Sequence, residues 1–280
     1  MLGSLLFGAI AVPGSIFVFR QGLLPLIERV FRPGPEWLSA LRRVGIPLAA
    51  LAGYWAYTHW YEKREASELR LRPVGLMLGG ASGAALVAFP IAVLFALGAY
   101  EVVFVRSASP ALLGVAALIG IAATLEELIY RCLLFRVLEQ AWGTGVALAA
   151  QSVIFALVHL ENVEQGGAKD VATMLVSVTL LGLLWTGVFI LTRNLWVVAA
   201  NHAAWNFTIV LSGAPLSGIG DWRDLAPLET RYAGPDGLTG GMFGPESSFV
   251  VIAMVTGAVV LLLRVAHRHG AFLEPTQVYE

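Results

Sequence analysis

The chain has 280 residues, of which 58% are hydrophobic and only 13% charged, and its mean hydropathy is +0.76. Soluble globular chains are nearer half apolar and a quarter charged, so a wholly water-soluble protein is excluded. The formal net charge of -1, from 18 basic and 19 acidic residues, leaves no electrostatic footprint for a nucleic acid partner, and the lone cysteine, Cys132, excludes an intramolecular disulfide or a CxxC metal or redox pair.

The apolar residues fall into blocks of roughly 17 to 27 separated by short charged stretches, the length needed to cross a bilayer as helix. In chain order the expected spans are Leu2 to Phe19, Val44 to Trp60, Val74 to Tyr100, Ala111 to Tyr130, Gly145 to Leu160, Val171 to Thr192, Leu195 to Leu211 and Phe249 to Leu263. The expected fold class is therefore all-α, a polytopic membrane bundle of about eight transmembrane helices surrounded by lipid. Four segments follow: N-terminal membrane helices over 1–110, a helical core carrying intramembrane polar groups over 111–213, a Gly/Pro-rich loop over 214–248, and the last membrane helix with a polar tail over 249–280. The absence of a positive charge ahead of the first apolar run favours a retained helix over a cleavable signal. Gly22 to Phe31 is amphipathic and ends in Arg32-Pro33-Gly34-Pro35, the pattern of an interfacial helix stopped by prolines. Tyr54, Trp55, Tyr57, Trp60 and Tyr61 read as an aromatic belt, and His59, His267 and His269 as ordinary interfacial residues. The 214–248 loop reads as a flexible outer loop, with a substrate-gating lid as the alternative.

Basic residues set the expected orientation. Lys63, Arg64, Arg70, Arg72, Arg131, Arg136, Arg193, Arg264 and Arg268 fall on one side, while Glu161, Glu164, Asp170, Asp221, Asp224, Glu229, Asp236 and Glu246 fall on the other. The first side, with the C terminus, is then cytoplasmic. Arg20, Arg29, Arg32, Arg42 and Arg43 disagree with this assignment, which leaves the N-terminal topology open.

Ionisable side chains inside apolar spans cost roughly 2.5 to 3.5 kcal/mol each on insertion scales, so each needs a partner or a function. In Thr124-Leu125-Glu126-Glu127-Leu128-Ile129-Tyr130-Arg131, Glu127 and Arg131 are four apart and face each other in the favourable order for an ion pair. Glu126 points about 100° away from them. It is thus left for chemistry while Glu127 and Arg131 brace the helix; the plainer reading puts both glutamates at an interface near Arg131. The next block ends Phe155-Ala156-Leu157-Val158-His159. A tight connection at Ala141 to Thr144 makes the two blocks an antiparallel hairpin, in which Glu126 and His159, equidistant from the turn, lie at equal height and can share a water molecule. Asn201-His202-Ala203-Ala204-Trp205-Asn206 then places His202 and Asn206 on one helix face, either as interhelical hydrogen-bonding groups or as part of a site.

Glu126-Glu127-x-x-x-Arg131, Phe155-x-x-x-His159 and His202-x-x-x-Asn206, in that order on successive membrane helices, resemble the CPBP family of type II CAAX prenyl endopeptidases and bacterial bacteriocin-processing or immunity (Abi) proteins. The resemblance covers roughly Ala111 to Leu211. It implies an intramembrane endopeptidase in which Glu126 and His159 activate water and His202 and Asn206 stabilise the oxyanion, in a site that opens toward the cytoplasm in eukaryotic members. The chemistry is sensible in itself: a carboxylate removed from water becomes a better base near neutral pH, and imidazole and carboxamide can both donate to a developing oxyanion. A competing arrangement is a zinc site with Glu126, His159 and His202 as ligands. Asn206, a poor zinc ligand and a good oxyanion donor, favours water activation without a metal, so that no cofactor is required.

Two other functions use the same residues: a non-catalytic membrane immunity or scaffold protein, and a proton or ion transporter with these groups as a relay. The complete residue set argues against the first, and the lack of an internal repeat against the second. The expected partners are lipid and a protein or peptide substrate at the membrane, either a prenylated CAAX tail or, in a prokaryotic cell membrane, a leader peptide or anchored tail. The chain itself ends Gln277-Val278-Tyr279-Glu280, without a CAAX box.

Overall fold

Each expected apolar block lies on a helix, because in hydrocarbon a backbone N–H or C=O must find its partner within its own helix. The computed structural model describes residues 2–107, 109–163 and 166–275; Glu164 and the terminal Gln277-Val278-Tyr279-Glu280 lie outside the described residues. Helix α1 (Leu2–Val18) passes through a π-helical turn at Phe19–Leu23 into α2 (Leu24–Phe31) as one rod. Gly22 to Phe31 is thus not a separate interfacial helix. Pro25 comes directly after the π-helical turn, a distortion of the kind that goes with a proline inside a continuous helix, and the prolines that stop the helix come after Phe31. Helix α3 (Pro35–Ala56), extended by the π turn Tyr57–Tyr61, returns alongside α1 and stacks Tyr61 on Phe7 at 4.5 Å between centroids. Of the expected aromatic belt, Trp55, Trp60 and Tyr61 face outward. Tyr54 is instead buried and accepts a 2.8 Å hydrogen bond from Arg136 Nη1.

Helix α4 (Pro73–Ala96) stops short of Tyr100, where strand β1 (Tyr100–Val105) begins and pairs antiparallel with β2 (Leu228–Tyr232), with a bulge between Val102 and Phe104. The run Tyr-Glu-Val-Val-Phe-Val is rich in strand-forming β-branched and aromatic residues, a signal hidden by its continuity with the apolar block before it. Helix α5 (Ala111–Glu127) leads through a π-helical segment, Leu128–Phe135, into α6 (Arg136–Val158). Gly143 breaks α6 with φ 76° and ψ 166°, backbone angles open to glycine alone, and the chain folds back there. Tyr130 and Phe155, equidistant from that turn, meet edge to face at 5.0 Å.

Helices α7 (Ala168–Thr192) and α8 (Leu195–Leu211) complete the core. A Cβ on Gly79 would lie 2.4 Å from the Val197 carbonyl oxygen, and one on Gly83 2.0 Å from that of Asn201. This small-residue face lets α4 touch the backbone of α8 and seats the helix that carries His202. Asn201 Nδ2 donates to Ser82 Oγ across the same contact at 3.0 Å. The segment from Ser212 to Ser248 is not an open flexible loop. It folds through β2 and the short α9 (Asp236–Thr239) into a cap held by Gly218 N–H to Phe243 O, 2.9 Å, and Tyr100 Oη–H to Thr239 O, 2.6 Å, before α10 (Phe249–Arg268) leaves it. Among the described residues, Gly3–Phe31, Pro73–Ala96, Ala111–Val158, Ala168–Thr192 and Phe249–Arg268 are long and apolar enough to cross a membrane. The chain is an integral membrane protein.

The bundle has two unlike polar ends. At one, Glu139 Oε1 accepts from Thr144 Oγ1 (2.6 Å) and Arg193 Nη2 (2.9 Å), and Thr144 Oγ1 accepts from Leu273 N–H (2.8 Å). At the other lies the cap, where Ser247 meets Ser177 in the first half of α7 (Ala168–Thr192) at 3.3 Å; Arg193 is about 24 Å further along that helix. The start of α3, with Arg43, lies beside Gly114 and Leu118 of α5, so the Arg20 to Arg43 group belongs to the cap end. Arginines therefore populate both ends, and the basic-residue count does not orient the bundle.

In a Cys132→Ala background, cysteines at Arg193 and Asp221 are expected to react with a membrane-impermeant maleimide from opposite sides. Labelling of both from one side contradicts this arrangement. Gly83→Ala is expected to cost about 1–3 kcal/mol through overpacking of α4 on α8, read as a lowered melting temperature in detergent; an unchanged melting temperature would show that the contact is loose.

Candidate active site

Glu126 and Glu127 are the last two residues of α5, directly before the π-helical segment, a wider turn frequent at functional sites. Glu127 has no exposed surface. Its Oε2 is 3.1 Å from Nε of Arg131, which is equally buried, and its Oε1 is 2.8 Å from His202 Nδ1. The Arg131 guanidinium lies over the rings of Phe155 at 4.5 Å and Trp185 at 5.7 Å, where the ring quadrupoles meet part of its charge. Trp185 also stacks on His202 with 3.6 Å between centroids and 20° between planes. Trp185 thus fixes one face of the imidazole, and Glu127 fixes one of its nitrogens. Because the carboxylate accepts, Nδ1 carries the hydrogen, and Nε2 lies 4.0 Å from Glu126 Oε2.

His159 is the C-terminal cap of α6. Its Nδ1 is 2.7 Å from the Phe155 carbonyl oxygen, which can only accept, so the neutral ring carries its lone pair on Nε2. Glu126, His159, His202 and Asn206 all line one cavity of about 140 Å³, whose wall the cap completes with Leu216, Ser217, Ile219, Trp222 and Glu246. Glu127 and Arg131 stand behind that wall. Among the described residues no Lys or Arg lines it. Glu246 is 2% exposed; its Oε1 accepts from Trp205 Nε1 at 3.2 Å and its Oε2 from Ser217 Oγ at 2.6 Å. Burial pushes its carboxyl up from the ordinary range, against the opposing pull of Ser217, Trp205, His202 and His159.

Three features of the site escaped the sequence reading. The bond from His202 to Glu127 joins residues 75 apart in the chain, and reading Glu127 against its own helix shows only Arg131. Trp185 is one aromatic in an apolar helix. Glu246 sits in a Gly/Pro-rich stretch where an acid reads as a solvated group, and no local signal marks it. As for zinc, no three His, Cys, Asp or Glu side chains among the described residues stand close enough together to hold an ion, whereas the Nδ1 bonds of His159 and His202 are of the kind that orient metal-ligating imidazoles and leave each Nε2 available.

The cavity lies between the cap and the middle of α7 and α8, where Trp185 and His202 stand.

These features define a class: a helical integral membrane protein with a small cavity on which Glu126, His159, His202 and Asn206 converge. Residues 107–208 match the family model of the Rce1-like type II CAAX prenyl endopeptidases, a stretch that contains Glu126, Glu127, Arg131, His159, His202 and Asn206 but not the cap. That stretch of the chain is thus similar to the Rce1-like endopeptidases. No curated protein and no solved structure matches it.

Glu127→Gln leaves the buried Arg131 charge unpaired, an expected loss of about 3–5 kcal/mol, seen as poor accumulation or a lowered melting temperature. Adding Arg131→Met is expected to recover part of that stability. No recovery would show that the pair is not what the helix depends on.

Proposed function

We propose that the chain is an intramembrane endopeptidase that hydrolyses a peptide bond of a membrane-associated substrate with water activated by Glu126 and His159. The observation that carries this reading is the convergence of four polar side chains from α5, α6 and α8 on one cavity, with His159 Nε2 unprotonated in the neutral ring. A water held between Glu126 and His159 gives up a proton as its oxygen attacks the carbonyl carbon. The developing oxyanion is met by Asn206 and His202. Because His202 Nδ1–H is spent on Glu127, only the doubly protonated ring has an Nε2–H to donate, so His202 serves the oxyanion as imidazolium. Glu127 and Arg131 hold that ring in place. No step is routed through a metal. The substrate is a prenylated CAAX tail or a leader or anchored peptide presented at the membrane.

The test is mass spectrometry of farnesylated CAAX peptides and leader-type peptides incubated with the purified chain in proteoliposomes. Wild-type protein is expected to yield a cleaved product that disappears with a folded Glu126→Gln variant; a product that persists sinks the reading. Asn206→Ala is expected to lower kcat by about 10² to 10³ with little change in KM, as loss of one oxyanion donor does. Prolonged chelation leaves the rate nearly intact. Activity abolished by chelation and restored by zinc would overturn the water-only mechanism while leaving the protease.

A further inference from the structure

Peptide hydrolysis needs two proton transfers, one from the attacking water and one to the leaving nitrogen, and the residues named so far account for the first. The cavity holds a second carboxyl in a very different setting. The Glu126 side chain is 35% exposed, open to the water of the cavity. Glu246 is 2% exposed and enters from the cap, outside the family-matched stretch. Among the described residues no Lys or Arg lines the cavity beside it, and the rings of His159 and His202 face it there. Its partners, the Trp205 indole N–H and the Ser217 hydroxyl, are neutral. A serine hydroxyl can donate to a carboxylate or accept from a carboxylic acid, so Glu246 keeps a partner in either protonation state. An arginine in that place would lock it ionised. The titratable groups facing Glu246 are His159 and His202 from α6 and α8, Glu126 across the cavity, and the Tyr232 hydroxyl behind it. Two carboxyls in one site, one open to the cavity and one buried against neutral donors, are the arrangement in which one serves as base and the other as acid.

We propose that Glu246 is the acid of this site, donating its carboxyl proton to the leaving amide nitrogen as the tetrahedral intermediate collapses. The inference rests on the endopeptidase reading above. Water oxygen bonds to the carbonyl carbon while one water proton passes to the Glu126–His159 pair. The C–N bond then breaks, its electron pair goes to nitrogen, and Glu246 Oε2 supplies the proton that makes this nitrogen a neutral amine. Glu246, left as carboxylate, regains a proton from the Glu126–His159 pair through cavity water, and the sum is one water consumed per bond cleaved. The cap thereby contributes to the chemistry as well as to the wall.

An ester oxygen leaves without prior protonation far more readily than an amide nitrogen, so the assignment is read from the leaving group. The peptide cleaved fastest by the wild-type chain is remade with the scissile N–H replaced by oxygen. Glu246→Gln keeps the size and the hydrogen bond from Trp205 but has no proton to give. It is expected to lower kcat on the amide by about 10² to 10³ and on the ester by less than about tenfold. Equal losses on both, or no loss on the amide, overturn the proposal. Should Glu246→Gln fail to fold, wild-type pH profiles answer the same question: kcat on the amide falls as pH rises and Glu246 loses its proton, whereas the ester shows no such limb. An amide profile without that alkaline fall overturns the proposal. If the wild-type chain cleaves neither compound, the endopeptidase reading fails and this inference with it; if it cleaves both and the variant treats them alike, only this inference fails.

Discussion

The carboxylate of Glu127, with no exposed surface, is shared between the guanidinium of Arg131 and the imidazole of His202. Removing a carboxylate and a guanidinium from water costs several kcal/mol for each ion, and their mutual attraction offsets this only when the geometry is good and further contacts meet what remains of the charge. Here the further contacts are the ring faces of Phe155 and Trp185 beneath the guanidinium. A group buried at such cost adds little to net stability but tolerates few alternative positions. That intolerance is what the site uses. Helix α5 supplies the charge, α8 the ring and α7 the indole stacked on it, and the three settle where one carboxylate serves two partners. Glu126, the neighbouring residue, is then aimed into the cavity by the helix turn alone.

This arrangement requires α8 to sit deep in the bundle, although it has only 17 residues. Without a hydrophobic driving force between helices in lipid, close packing and interhelical hydrogen bonds must hold it there. The glycine face of α4 supplies the packing, and the Asn201–Ser82 bond supplies a polar contact on the side of α8 away from the cavity. Of the three polar side chains in the Asn201 to Asn206 stretch, one therefore serves the fold and two face the site.

What the sequence made legible follows from what is costly in a membrane. Charged and amide side chains inside apolar runs stand out, which exposed Glu126, Glu127, Arg131, His159, His202 and Asn206. The hairpin register is also readable, because a glycine at Gly143 reverses the chain and equidistant residues must meet. Illegible were contacts that depend on helices distant in sequence, such as Glu127 with His202, and anything in the Gly/Pro-rich stretch. There Glu246 differs from an ordinary surface acid only because the cap folds over it. The strand Tyr100–Val105 was hidden for a related reason: an apolar run entering a two-stranded ribbon has the same composition as the end of a span.

The cap lies late in the chain. Glu246 is followed at once by α10, the last membrane helix. During synthesis the helices bearing Glu126, His159, His202 and Asn206 have all been made before the wall that encloses them exists. A nascent chain consequently passes through a stage in which the polar groups of α5, α6 and α8 are assembled yet uncovered, open to the aqueous compartment on that face. Enclosure thus comes late in synthesis, and a ribosome that stalls after Leu211 leaves a core without its cap.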